Sequence, residues 1–187
     1  GNIGASLLTH LLGQNLRELG RRIQVYRQAF RQSGNAGEGY VTLMLHACMG
    51  ETMAEVKDVV YRPFCNYLKQ AVDLRAAGAS AVKTTRDNMA PADIDAVLHH
   101  AFQRYFHTAG LFGAREHCQE MLEELQAIGV DEVACLIDFG VPNAVAMESL
   151  ERLAELRDTA NARPKRASAE DTSLTKHTVT HFQCTPS

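Results

Sequence analysis

The feature that most constrains this chain is the alternation of short apolar stretches with amphipathic helical segments. In "YVTLMLHACMGET", residues 40–52, the run from Tyr40 to Leu45 suits a buried strand, and a helix start follows at Glu51–Thr52. "ASLLTHLL", residues 5–12, reads as an earlier strand and "DEVACLIDFG", residues 131–140, as a later one. Between the first two, Asn15 stands three residues before Glu18, a capping box, and Leu16, Leu19, Ile23, Tyr26 and Phe30 follow at helical spacing until "SGNAG" stops them. The helix from Thr52 meets Pro63, which is expected to kink or divide it. "RAAGASAVKTTRDNMAP", residues 75–91, loses the period and reads as a long loop. Pro91 then suits a first helical turn, with Ile94, Val97, Leu98, Ala101 and Tyr105 on one face and an end before Gly110. Cys118, Met121, Leu122, Leu125 and Ile128 mark a further helix, and Ala146, Leu150 and Leu153 the last.

Apolar strands separated by amphipathic helices predict an α/β fold with a parallel sheet covered by helices. Three such strands leave both sheet edges bare, so further strands are expected upstream. The C-terminal part of a (β/α)8 TIM barrel, truncated, accommodates the units. Helical and strand patterns begin almost at Gly1, and the chain stops within a strand-like run, so both ends read as cut. Residues 1–158 form the expected barrel segment and the polar stretch 159–175 a linker, with residues 176–187 beginning something else.

Composition narrows the classes of function. The 187 residues are 45% hydrophobic, enough for one sizeable core. Nineteen basic residues against 22 acidic ones leave no electrostatic footprint for nucleic acid. No basic run argues for a membrane surface, and no apolar stretch nears the ~20 residues of a membrane span. "GNIGASLLTH" lacks a signal peptide's basic region. The cysteines are odd in number and scattered, and Cys118 and Cys135 fall on apolar faces. Reduced thiols in a cytoplasmic protein are therefore expected.

Alternation within the central strand separates two faces. Val41, Leu43, Leu45 and Ala47 share an apolar one, suited to packing under helices. Thr42, Met44, His46 and Cys48 share the other, which in a barrel points inward and opens at the C-terminal end on the active-site mouth. By the same reading His10 and Asp138 stand at the C-terminal ends of the first and last strands. His46 as a hydrogen-bonded structural residue and Asp138 as a capping or loop residue remain open on spacing alone.

Several other features lead nowhere. His99, His100, His107, His117 and Cys118 show no paired metal-ligand spacing, so no metal is expected. "GNIGAS" precedes a strand instead of following one, which excludes a dinucleotide fingerprint. A G-x-S-x-G elbow is absent.

"THLLGQNLRELGRRIQVYRQAFRQSG", "VTLMLHACMGETMAEVKDVV" and "GLFGAREHCQEMLEELQAIGVDEVACLIDFG" resemble the luciferase-like flavin monooxygenases, closest to the subgroup embedded in nonribosomal peptide and polyketide synthases. Relatives that oxidise alkanesulfonates carry, on the matching strand, a His followed five residues later by Glu-Thr, and His46, Glu51 and Thr52 repeat that spacing. Met44 occupies the place of an anion-binding Arg in those relatives, which argues against sulfonate chemistry. The resemblance implies reduced FMN with O2, supplied by a flavin reductase, and a carrier-tethered or small-molecule substrate. It implies His46 as the catalytic residue, hydrogen-bonded to the reacting oxygen or the substrate, with His10, Met44 and Asp138 as flavin contacts. Much of the flavin phosphate site would lie upstream of Gly1, and Arg86 falls where relatives carry a mobile active-site lid.

The tail "LTKHTVTHFQCTPS" resembles a strand of amino-acid adenylation domains, implying adjacent synthetase domains as partners. Self-association is a further expectation. The alternatives are a deazaflavin- or flavin-dependent oxidoreductase on the same barrel, and a non-catalytic spacer or docking insert.

Overall fold

The computed structural model describes residues 1–78 and 91–162. Its elements are β1 (Leu7–His10), α1 (Leu16–Gln32), β2 (Val41–Met49), α2 (Met53–Gly78), α3 (Pro91–Thr108), β3 (Leu111–Gly113), α4 (Arg115–Ala127), β4 (Glu132–Leu136) and α5 (Asn143–Ala162). All pairings are parallel. Strand β2 is the hub. Its Val41–Met44 pair with β1, Thr42–His46 with β4, and Ala47–Met49 with β3. Because β1 and β4 share the same stretch of β2, they must lie on its two opposite edges.

The two faces of β2 lead to two cores, as alternation predicts. Val41, Leu43, Leu45, Ala47 and Met49 join Leu19, Ile23 and Phe30 of α1, Cys118, Met121 and Leu125 of α4, and Leu153 and Leu156 of α5. Cys48, on the other face, joins Val56, Val60, Phe64 and Leu68 of α2 with Phe102, Tyr105 and Phe106 of α3, Phe112 and Phe139. Helix α1 starts as expected: Glu18 N–H donates to Asn15 Oδ1 at 2.9 Å, and Asn15 N–H to the Glu18 carboxylate at 3.2 Å.

A polar clasp ties the N-terminal ends of the sheet together. Asp131 accepts from Val41 N–H at 2.8 Å and from Arg27 Nη2 at 3.0 Å, and Arg27 also reaches the Gly129 carbonyl at 2.8 Å. Both side chains are partly exposed, so the ion pair itself is weak, and the backbone bond carries most of the effect. Asp131→Ala is expected to lower stability by about 1–2 kcal/mol. A urea midpoint measures it, and His46, at the other end of β2, should keep its chemical reactivity.

Several sequence expectations need correction. Among the described residues there are four strands, not three: "LFG" is too short to show a period, and it becomes a strand because β2 offers Ala47–Met49 as an edge. Gly113 ends it at φ 115°, with Met53 Sδ 2.0 Å from where a Cβ would stand, so any side chain there would strain the backbone and displace Met53. Pro63 does not divide α2, because Val60 and Phe64 on either side of it are anchored in one core. That helix also takes in 75–78, the start of the expected loop, while α5 runs through Ala162 and so covers 159–162 of the expected linker. Val97, Leu150 and Cys135 are exposed, not core-facing. Ser149, Leu153 and Leu156 form the buried side of α5 instead. The remainder of the loop, including Arg86, and residues 163–187 with the adenylation-like tail lie outside the described residues. No described helix is long and apolar enough to cross a membrane.

Candidate functional site

In parallel α/β sheets, ligands bind beyond the C-terminal ends of the strands. That end of β2 carries His46, level with Leu136 of β4. His10 of β1, Met44 of β2 and Ala134 of β4 form the row before it, so His10, Met44 and His46 share one face of the sheet. Asp138 does not end a strand. It lies two residues beyond β4, exposed, and its neighbour Phe139 is the residue that turns back onto His46.

Three rings enclose the imidazole, all roughly edge-on. Tyr67 has its centroid at 4.5 Å, Phe64 at 5.0 Å and Phe139 at 5.6 Å. His46 is only 8% exposed. Two buried side-chain polar atoms lack a partner among the described residues: Nε of Arg27, whose guanidinium is already engaged through Nη2, and Nε2 of His46. Burial pulls the His46 pKa down from 6.5 to about 4, because a charged imidazole there would lose its hydration with no compensating bond. At neutral pH it is an uncharged, dry hydrogen-bonding group, suited to a polar atom of a ligand and unsuited to holding an anion by charge.

This depression links folding to pH. Between pH 6.5 and about 4 the unfolded chain binds a proton that the folded chain excludes, so stability falls as pH drops through that window and stops falling below it. At ~1.4 kcal/mol per unit, the loss by pH 4.5 is about 2–3 kcal/mol. His46→Phe should remove this contribution. The check is the wild-type minus variant difference in unfolding free energy at pH 7.5 and 4.5, which cancels the carboxylates common to both.

The surrounding residues have mainly local roles. His10 Nδ1 accepts from Leu12 N–H at 3.1 Å, closing the turn after β1. Cys48 is sealed, and burial raises its pKa, which keeps it a thiol. Ser149 of α5, 1% exposed, accepts from Met49 N–H at 2.8 Å and anchors the end of β2. Glu51 and Thr52, which repeat a family spacing, work as helix-start residues here. Thr52 Oγ1 accepts from Glu55 N–H at 3.2 Å, and Glu51 pairs with Arg152 at 3.2 Å. Neither is among the rings against His46. His99, exposed, bonds Tyr61 and Gln103, and no described group of three or more His, Cys, Asp or Glu could hold a metal.

Sequence reasoning missed the cage itself. Phe64 and Tyr67 at i, i+3 on α2 were a legible signal of a shared helix face. Nothing local connected that face, or Phe139, to His46.

The fold of this chain is similar to parts of solved proteins. One of them is a monooxygenase. The monooxygenase RslO1 from Streptomyces bottropensis matches 86% of this chain at 12% identity and a TM-score of 0.56, with 43% of its own length covered. Apo-MsnO8 matches 83% at 16% identity and a TM-score of 0.51, with 45% of its length covered. The chain thus spans less than half the length of these solved proteins. No protein-family pattern and no curated protein matches the sequence.

Proposed function

We propose that this chain is the C-terminal part of a (β/α)8 barrel and belongs to a luciferase-like, reduced-flavin-dependent monooxygenase of secondary-metabolite biosynthesis. The observation that carries the reading is the buried, unpaired Nε2 of His46 at the C-terminal end of the central parallel strand. An orphaned polar atom in a native site calls for a partner, and a ligand is one. The fold shared with RslO1 supports the oxygenase class.

The residues around His46 match a flavin in chemical character. Its flat, largely apolar ring suits walls made of Phe64, Phe139 and Tyr67, and its polar edge suits an uncharged imidazole. Reduced FMN supplies the oxygen-activating chemistry when bound. His46 would offer a hydrogen bond at the reacting edge, and the rings would exclude water from it. His10 and Met44, on the same sheet face, would border the flavin, with Asp138 at the rim. In this reading the flavin phosphate is held by earlier strands, a flavin reductase delivers the reduced cofactor, and the substrate is carrier-tethered or free.

The test uses the complete enzyme supplied with reduced FMN or with a reduced deazaflavin under 18O-labelled O2. Labelled oxygen in a product with FMN is the expected result. Turnover with the deazaflavin alone and no label would make it a hydride-transferring oxidoreductase. No turnover with either, from a stably folded complete barrel, would leave the insert reading in its place.

A further inference from the structure

The rings around His46 are not equivalent. Phe64 is 1% exposed and wedged among Phe102, Tyr105, Phe112 and Phe139 at centroid distances of 5.6–6.2 Å. Phe139 is 5% exposed and held by Phe64 and Phe112. Moving either means opening the second core. Tyr67 is different: it is only partly buried, packs against the margin of the second core, and among the described aromatic rings meets His46 and, at 6.0 Å, Phe64. It is also the ring closest to the imidazole.

We propose that Tyr67 is the shutter of the His46 site, the one wall that swings aside to admit a reactant while Phe64 and Phe139 stay fixed. Side-chain rotation of a partly exposed tyrosine is a small, local event, whereas releasing Phe64 approaches global unfolding. Tyr67 is thereby a positioning residue that acts through His46. Calling what enters a reactant rests on the oxygenase reading, but the route of access does not.

Diethyl pyrocarbonate modification, read residue by residue by mass spectrometry on the 187-residue chain, tests this without flavin or O2. In the wild type, His46 should react far more slowly than the exposed His99, His100 and His107. Tyr67→Ala and Tyr67→Leu should each speed His46 modification about tenfold or more, because the rate follows the open fraction. Tyr67→Phe should stay near the wild-type rate. Thiol labelling of Cys118, sealed in the first core, reports global opening. A faster His46 with Cys118 still protected supports the shutter. A faster His46 only in step with Cys118, an unchanged His46, or a Phe139→Leu variant that opens His46 when the Tyr67 variants do not, each overturns it. Either result leaves the isotope test of the oxygenase reading to stand or fall separately.

Discussion

Phe64→Ala is expected to destabilise the protein by about 3–5 kcal/mol, the largest effect on stability of any substitution considered. The ring is the hinge of the second core. It touches His46 from β2, Tyr67 on its own helix, Phe102 and Tyr105 of α3, Phe112 of β3, and Phe139 after β4. Neighbours drawn from so many elements cannot all collapse into the space it leaves, so the cavity persists and its cost stays near the upper end of the range. The same cavity would let water reach His46. A raised imidazole pKa, followed by NMR titration, should accompany the lowered urea midpoint. A variant with an unchanged midpoint would show that the aromatic cluster is loosely packed and that the seal on His46 comes from elsewhere.

The second large effect concerns chemistry. Within the proposed function, removing the imidazole nitrogen should slow oxygenation by the complete enzyme roughly a hundred-fold or more, the typical price of losing one preorganised hydrogen bond in a water-excluded site. The structure dictates the variant. His46→Ala would also leave a hole among three rings, whereas His46→Phe fills the cage and removes only the polar atoms. Leu45→Ala is the counterpart, because Leu45 faces the first core at 2% exposure. It should lose about 2–5 kcal/mol of stability with turnover per folded molecule little changed. If His46→Phe retains full turnover per folded molecule, the histidine is a structural core residue and the oxygenase site lies elsewhere.

Much of this molecule was legible locally. The period-2 alternation of residues 41–48 named both faces of β2 correctly, because a strand's side chains must alternate whatever surrounds it. The Asn15–Glu18 capping box and the Leu19, Ile23, Tyr26 face of α1 formed as read, because both depend on contacts within a turn or two of helix. Signals of this kind are complete within a short window of chain.

Tertiary structure decided what no window contains. β3 exists only because β2 has a free edge beside it. α2 passes Pro63 because both neighbouring turns are buried together, and α5 turns Ser149 inward while Leu150 faces solvent, because Ser149 has Met49 N–H to satisfy. Above all, the sequence placed a histidine at a strand end but left its environment open. Phe64, Tyr67 and Phe139 come from a helix and a later loop, and only their convergence makes the imidazole dry, neutral and unpaired. Residue type and spacing set which group stands at the end of the strand. Its protonation and reactivity depend on desolvation, a property of everything packed around it and therefore of the folded chain alone.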